Sequence, residues 1–123
     1  MQFTGLVYWV QENTISEKFY KKIGFKVSET GASHSVVSLG EDLKITLVNM
    51  RDNEEFSGDA MSAEKGKGLY IYIKVDKVDD LYASFVKRGI RPASRPREWD
   101  WGNREFVVSD PDGYKFCFWQ KAM

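Results

Sequence analysis

Aromatic side chains are the most distinctive chemical groups in this sequence. The chain has four Trp, six Tyr and eight Phe among 123 residues. Trp99 and Trp101 lie two residues apart in the polar segment REWDWGNREF, where indoles are costly to leave in water. Such rings can stack on flat organic groups, or they can pack on a helix or at a subunit contact. The two alternatives are equally supported for Trp101, whereas packing is favoured for Trp99.

Groups that could bind a metal or attack a substrate are scarce. The only histidine, His34, falls on a predicted hairpin strand and is interpreted as a surface or packing residue. Cys117 has no histidine nearby in sequence and is predicted to be an inert buried thiol. Arg104 and Glu105 are interpreted as an exposed ion pair or, by a small preference, as part of a site's rim. The acidic segment Asp52–Asp59 is interpreted as a solvated loop.

Composition restricts the class of protein. Apolar residues make up 42% of the chain, which is enough for a packed core. The 18 basic and 18 acidic side chains leave no net charge, so a nucleic-acid partner is not expected. No apolar run approaches the roughly 20 residues that span a bilayer, and no membrane partner is expected. The absence of a secretory signal and the single cysteine predict a cytoplasmic protein.

The first half of the chain predicts one helix among four strands. The helix runs from about Thr14 to Ile23, with Thr14 and Glu17 at capping-box spacing and Gly24 at its end. Ile15, Phe19 and Ile23 repeat at helical spacing. The predicted strands are Thr4–Val10, Phe25–Ser28, His34–Leu39 and Leu43–Asn49. The polar segment Arg51–Gly68 is predicted to be an irregular connection.

The second half predicts the same order of elements. A strand at Leu69–Val75 precedes a helix that Asp76 is placed to cap and Gly89 to end. This helix has an apolar stripe formed by Val78, Leu81, Tyr82 and Phe85. After it, Pro92 and Pro96 indicate an edge strand or loop. Strands at Arg104–Ser109 and Tyr114–Gln120 flank Asp110–Gly113, whose Asp, Pro and Gly suit a type I turn.

An internal repeat relates the two halves. A shift of 65 residues places TGLVYWV on LYIYIKV, and a shift of 71 places VVSLGEDLKITLVN on VVSDPDGYKFCFWQ. The agreement of strand, helix and turn positions predicts two copies of a β-α-β-β-β module. The chain is therefore predicted to be one domain over residues 1–123, with module one at about 1–50, a connection at about 51–68 and module two at about 69–123.

Three segments carry a resemblance that covers almost the whole chain: SEKFYKKIGF, YIKVDKVDDLYASFVKRGI and WGNREFVVSDPDGYKFCFW. In this order and spacing they resemble the vicinal oxygen chelate superfamily, which includes glyoxalase I, extradiol dioxygenases and the bleomycin-resistance proteins. The metal-free bleomycin-resistance-like branch is the most similar. The resemblance implies an α+β fold in which two tandem βαβββ modules form a curved mixed sheet, or cup, with helices on its outer face.

The resemblance also implies four positions for metal ligands in the metal-using members, on the first and last strands of each module. The repeat places these positions at Gly5, Thr46, Tyr70 and Cys117. None of the four is an imidazole or a carboxylate, which are the ligands that a divalent metal in such a cup prefers. No metal and no other cofactor is therefore expected.

Strand alternation from these four positions predicts two faces. The opposite parity is almost wholly apolar and is predicted to face the helices: Leu6, Tyr8, Val10, Leu43, Ile45, Leu47, Ile71, Ile73, Val75, Phe116 and Phe118. The same parity adds Val7, Lys44, Lys74 and Lys115 to the concave wall. The ligand-binding residues predicted on this wall and beside it are Trp9, Thr46, Val48, Tyr70, Tyr72, Trp101, Cys117 and Trp119.

The favoured hypothesis is a metal-free protein that binds a small aromatic or amphipathic organic molecule, as in antibiotic sequestration, with no catalytic residue assigned. The alternative is a lyase-type or dioxygenase-type enzyme with displaced metal ligands, for instance Glu41, Asp42 or Glu105, or with metal-free acid–base chemistry at Tyr70 or a lysine. A purely structural protein, with rings filling the cup, is a further alternative. The resemblance implies a homodimer, with exchange of the N-terminal strand in the bleomycin-resistance branch.

Overall fold

The computed structural model describes residues 1–52 and 54–122 and divides into two compact units, 1–65 and 66–123. Asn53, inside the predicted connection, and Met123 lie outside the described residues. Each unit carries one helix of ten residues and one four-stranded mixed sheet with two open edges. The α+β class and the two tandem βαβββ modules are therefore confirmed. None of the described helices is long and apolar enough to cross a membrane.

Unit one contains the first module and a short additional helix. Its sheet has the order β1-β4-β3-β2, with β1 parallel to β4 and the other pairs antiparallel. The elements are β1 (Leu6–Val10), α1 (Asn13–Lys22), β2 (Lys26–Thr30), β3 (His34–Leu39), β4 (Leu43–Asn49) and α2 (Ser57–Met61). Helix α2 lies in the segment predicted to be irregular, because five residues are too few to show a helical period.

Unit two repeats this arrangement with a shorter edge strand. Its sheet has the order β5-β8-β7-β6, with β5 parallel to β8. The elements are β5 (Tyr70–Lys74), α3 (Val78–Lys87), β6 (Arg97–Glu98), β7 (Asn103–Ser109) and β8 (Lys115–Lys121). The Gly113 N–H donates to the Asp110 carbonyl at 3.1 Å, which confirms the predicted turn between β7 and β8. Strand β6 pairs with β7 at one edge of the sheet, as expected for an edge strand after two prolines.

The strand register confirms the internal repeat residue by residue. Val7 is the partner of Thr46 in the β1–β4 pair, and Tyr72 is the partner of Cys117 in the β5–β8 pair. The two predicted shifts convert the first pair into the second. Module two is therefore a structural copy of module one, and equivalent positions can be compared directly.

The first N–H group of each long helix is capped from the end of the last strand of the same unit. In unit one, the Asn13 N–H donates to Asn49 Oδ1 at 2.7 Å. In unit two, the Val78 N–H donates to Gln120 Oε1 at 2.6 Å. Both residues of the second pair are the repeat equivalents of the first. The amide side chain thus ties each helix to its sheet while satisfying an N–H that the helix cannot pair internally.

The predicted caps are wrong. Helix α1 begins one residue before Thr14, and its N-cap residue Glu12 makes no side-chain cap hydrogen bond. Helix α3 begins two residues after Asp76, and its N-cap residue Lys77 makes none either. Local sequence spacing missed these caps because the accepting amides come from strands far along the chain.

Helix α1 buries only part of the stripe that its apolar residues indicate. Ile15 is 51% exposed and Phe19 is half-buried, whereas Ile23 is buried. The buried residues of α1 are Asn13, Ser16, Glu17 and Tyr20. Two of them, Asn13 and Glu17, are polar side chains with partners far along the chain. Asn13 Nδ2 donates to Ser35 Oγ at 2.9 Å and to the Gly31 carbonyl at 3.0 Å, and Ser35 Oγ donates to Glu17 Oε2. This polar cluster of Asn13, Glu17 and Ser35 joins α1 to β3.

Replacing Ser35 with alanine is expected to lower the free energy of unfolding by about 2–3 kcal/mol, because the buried Glu17 carboxyl and Asn13 amide each lose a partner. Urea unfolding followed by circular dichroism measures the loss. Ser28→Ala is the matched control, since the Ser28 hydroxyl is exposed and its bond to the Val36 carbonyl is 3.4 Å long. The control is expected to change stability by less than about 0.5 kcal/mol. Equal losses in the two variants would contradict a stabilising role for the polar cluster.

Unit two replaces that polar cluster with rings. Tyr82 and Phe106, the repeat equivalents of Glu17 and Ser35, meet edge to face with centroids 5.4 Å apart. Phe85 is fully buried, and its ring centroid lies 5.9 Å from that of Phe106 and 5.2 Å from that of Phe118. The predicted helix-facing parity is supported by burial of Tyr8, Val10, Ile45, Leu47, Phe116 and Phe118. An aromatic core therefore packs between α3 and the helix-facing side of the unit-two sheet.

Candidate functional site

Unit two contains a pocket of about 240 Å³, here called the aromatic pocket. Its floor comes from β5, β7 and β8, and its wall comes from the segment at residues 94–101. The lining residues are Tyr70, Tyr72, Ser94, Trp99, Trp101, Glu105, Val107 and Cys117. Four of these eight residues are aromatic, and one carboxyl and one thiol lie beside the rings.

A tight turn between β6 and β7 presents the two tryptophans side by side. The Gly102 N–H donates to the Trp99 carbonyl at 3.0 Å, and the Trp99 N–H donates to the Asn103 carbonyl at 2.8 Å. Gly102 has φ +90°, which its lack of a side chain allows. The indoles of Trp99 and Trp101 stack with centroids 4.8 Å apart and planes within 8° of parallel. The turn therefore produces a preformed flat aromatic surface.

Glu105 places a carboxyl at the base of this surface. The side chain is 5% exposed, and its Oε2 accepts from Trp101 Nε1 at 3.3 Å and from Asn103 Nδ2 at 3.2 Å. It also hydrogen-bonds with Cys117 and Tyr72. The carboxyl thus fixes the orientation of Trp101 and connects the wall of the pocket to its floor.

This network keeps the neighbouring acidic groups protonated. Burial and then the negative charge of Glu105 raise the pKa of the Cys117 thiol to about 12. Partial burial, followed by the charges of Cys117 and Glu105, raises the pKa of Tyr72. Near neutral pH the thiol and the phenol are therefore neutral hydrogen-bonding groups. A thiolate nucleophile is not available in this pocket.

Four of the eight predicted ligand-binding residues meet here: Tyr70, Tyr72, Trp101 and Cys117. Trp119 is half-buried on the same strand as Cys117 but does not line the pocket, and Lys74 Nζ lies 5.5 Å from its ring centroid. The three remaining residues, Trp9, Thr46 and Val48, belong to unit one. There Trp9 is the register partner of Val48, and its ring lies 6.4 Å from that of Phe56.

Four lining residues are absent from the predicted ligand-binding set, although Glu105 was placed at a site's rim by a small preference: Ser94, Trp99, Glu105 and Val107. For Trp99 the sequence analysis favoured packing on a helix or at a subunit contact, whereas the indole stacks on Trp101 and lines the pocket. For the two β7 residues a signal existed. Val107 pairs with Cys117 and Glu105 pairs with Trp119, so alternation extended across the predicted β7–β8 hairpin would have placed both on the pocket face. Ser94 lies in a loop, where alternation predicts nothing.

Of the two interpretations of Arg104 and Glu105, the exposed ion pair is wrong, and the preferred one, part of a site's rim, agrees with the position of Glu105 in the lining but not with that of Arg104. Consecutive strand residues point to opposite faces of a sheet, and these two do so. Arg104 Nε and Nη2 donate to the Asp79 carboxylate of α3 at 2.8 and 2.9 Å. That pair raises the pKa of Arg104 and lowers the pKa of Asp79 through the hydrogen bond and its charge. Glu105 faces the pocket instead.

The four positions that the family resemblance assigns to metal ligands do not fit a divalent metal. Gly5 has φ +140°, and a Cβ built there lies 2.8 Å from the Lys44 carbonyl oxygen, so this backbone has no room for a ligand side chain. Thr46 and Tyr70 offer only neutral oxygens. Cys117 offers a single thiol, and one thiolate among neutral oxygens does not make a divalent metal site. This donor set therefore supports no step that needs a metal.

The remaining metal-binding candidates are dispersed. Residues 1–52 and 54–122 contain no group of three or more His, Cys, Asp or Glu side chains able to hold a metal ion. His34 Nε2 lies 2.5 Å from Glu29 Oε2 in an exposed pair on neighbouring strands of unit one. The histidine therefore has a surface partner, in agreement with its interpretation from sequence.

Comparisons with known proteins agree with this fold. A glyoxalase/bleomycin resistance protein/dioxygenase from Nocardioides is 20% identical with a TM-score of 0.81, covering 99% of this chain and 84% of that chain. A hypothetical protein from S. aureus is 22% identical with a TM-score of 0.79, covering 97% and 93%. A bleomycin-binding protein solved with bleomycin is 16% identical with a TM-score of 0.67, covering 98% and 99%. At these identities the structures demonstrate a shared fold.

No curated protein matches the chain. The family model described as the Glyoxalase/Bleomycin resistance protein/Dioxygenase superfamily matches residues 6–118, which include both modules. The chain therefore belongs to the glyoxalase/bleomycin resistance protein/dioxygenase superfamily.

Proposed function

We propose that this protein binds a small, flat organic molecule in the aromatic pocket and makes no bond to it. The observation that carries the proposal is the stacked pair of Trp99 and Trp101 over a floor that includes Tyr70 and Tyr72. Stacked indoles with one large open face provide contact area at a low cost in side-chain entropy. Trp101 is 57% exposed although one face is covered by Trp99, so its other face is open to a ligand.

The volume of the pocket favours a compact ligand. Sites for drug-sized molecules occupy roughly 300–1,000 Å³. The aromatic pocket, at about 240 Å³, suits one or two fused rings or the flat part of a larger molecule. The bleomycin-binding protein compared above holds its drug on the same fold, and sequestration of an antibiotic that carries such a group is one form of the proposed function.

The chemistry of the pocket favours binding over catalysis. The thiol of Cys117 and the phenol of Tyr72 both have raised pKa values, so neither is an anionic nucleophile or base near neutral pH. The side chains at the four family metal positions are unsuited to hold a divalent metal that would act as a Lewis acid. Binding is therefore expected to be reversible and to persist in a metal chelator.

Calorimetric titration with quinoline, a neutral fused ring, tests the proposal. Quinoline is expected to bind with a Kd on the order of 1 mM or tighter. Trp101→Ala is expected to weaken binding by about tenfold because the stacking face is lost. Trp101→Phe should retain most of the affinity. Phe56→Ala removes an exposed ring of unit one and serves as the matched control, with no change expected.

Two results would overturn the proposed function. The first is that neither quinoline nor its cationic analogue 1-methylquinolinium binds in a manner that depends on Trp101. The second is that binding disappears in chelator and returns with a divalent metal, which would favour the enzymatic alternative.

A further inference from the structure

We propose that the aromatic pocket selects flat cations and that the buried carboxylate of Glu105 is the residue that recognises the positive charge. This inference rests on the proposed function and specifies its ligand class. The ligands that fit are heteroaromatic cations, or flat rings that carry an amidinium, guanidinium or ammonium group. Glu105 is a specificity-determining residue in this proposal, and it has no catalytic role.

The partners of Glu105 are the first support. Trp101, Asn103, Tyr72 and Cys117 all offer neutral hydrogen-bond donors to this side chain. Within residues 1–52 and 54–122, no Lys, Arg or His forms an ion pair with it. A buried carboxylate without a cationic partner is costly, and a cation in the adjoining pocket would reduce that cost.

The cation next to Glu105 in sequence is committed elsewhere. Arg104 lies on the opposite face of β7 and forms two hydrogen bonds with Asp79. This arrangement keeps Glu105 on the pocket face and Arg104 on the helix face. Arg97 is the register partner of Glu105 on β6, and its guanidinium lies over the Trp99 ring. A positively charged ligand can therefore approach the carboxylate without displacing an existing ion pair.

The tryptophan pair is the second, independent support. The guanidinium carbon of Arg97 lies 4.0 Å from the centroid of the Trp99 ring, so the stack already holds one flat cation. The electron-rich faces of indole rings attract cations, and Trp is the strongest of the aromatic side chains in this respect. A flat cation on the open face of Trp101 would lie at the end of the stack opposite to Arg97.

The preference for cationic ligands is expected to depend on Glu105 and not on a diffuse acidic surface. The acidic segment Asp52–Asp59 belongs to unit one, and none of its residues that the structure describes, 52 and 54–59, lines the aromatic pocket. Because buried charge pairs are screened much less than exposed ones, the preference for cations is expected to persist in physiological salt.

The test compares quinoline with 1-methylquinolinium at pH 7.5 and physiological salt. The cation is expected to bind at least about tenfold more tightly than the neutral ring. Glu105→Gln keeps an acceptor oxygen and removes the charge, so the ratio should fall close to one while quinoline still binds. Glu98→Gln removes the same charge from an exposed position on β6 and should leave the ratio unchanged.

The outcomes separate the two proposals. Trp101-dependent binding of quinoline with no preference for the cation in the wild-type protein overturns charge selection and leaves the proposed function standing. An unchanged ratio in a folded Glu105→Gln variant overturns the role of Glu105. If that variant does not fold, Glu105→Asp retains the charge and must retain the preference, and its loss there counts against the inference. Failure of both probes to bind overturns both proposals.

Discussion

Gly66→Ala is expected to destabilise the protein by about 4 kcal/mol or more, an exceptional loss for one methyl group. Gly66 has φ +71°, a conformation that costs a residue with a side chain about 1–2 kcal/mol. A Cβ at this position also lies 2.5 Å from the Gly113 carbonyl oxygen and 2.7 Å from Tyr114 Cα. Both neighbours are backbone atoms, so no rotamer change can relieve the overlap. Urea unfolding followed by tryptophan fluorescence measures the loss.

The turn against which Gly66 packs is held rigidly. Asp110 is buried, and its Oδ1 accepts from the backbone N–H groups of Asp112, Gly113 and Tyr114, each at 2.9 Å. The Asp110 N–H donates in turn to the Tyr114 carbonyl at 2.7 Å. Deforming this turn to make room for a new methyl group would disturb several of these bonds at once, which is why the strain cannot be relaxed cheaply.

Gly68→Ala provides the matched control. Gly68 has φ +79°, and a Cβ there meets no atom within 4 Å. Its replacement should cost only the conformational term of about 1–2 kcal/mol. If Gly66→Ala and Gly68→Ala lose the same stability, the close approach of Gly66 to the turn contributes nothing and the expectation is refuted.

The fold was predictable from the sequence because it repeats. The two shifts that align TGLVYWV with LYIYIKV and Thr46 with Cys117 also align the observed strand registers. Strand ends were placed within two residues, since turn residues and alternation are local signals. The helix caps and the polar face of α1 could not be predicted, because Asn49, Gln120 and Ser35 act across long stretches of chain and carry no local signal.

The candidate site was predictable in part. Alternation along β5 and β8 placed Tyr70, Tyr72 and Cys117 on one face, and all three line the aromatic pocket. The stacking of Trp99 on Trp101 could not be predicted, because it depends on the dihedral angles of a four-residue turn. Glu105 was placed at a site's rim by a small preference, but its burial was not predicted. An exposed pair with Arg104 stayed open as an alternative until the structure showed Asp79 as the partner of that arginine.

Cys117 is expected to react about a thousandfold more slowly with iodoacetamide in the folded protein than in urea at pH 8. Its pKa rises from 9.0 to about 12 on folding, so the thiolate fraction falls by that factor. Its 2% exposure would slow the reaction further. Because the folded state favours the protonated thiol, this group contributes stability that is present below pH 9 and lost as pH rises towards 12. Mass spectrometry over a time course measures the labelling.

Glu105→Gln separates the two causes of the raised pKa, because it removes the negative charge and keeps the thiol buried. Labelling of Cys117 in that variant is expected to be faster than in the wild-type protein and still slower than in urea. Cys117→Ser provides the blank. Rapid labelling of the folded wild-type protein near neutral pH would mean that a thiolate faces the pocket. A thiolate could attack a ligand or hold a metal, so that result would favour an enzyme over a reversible binding protein.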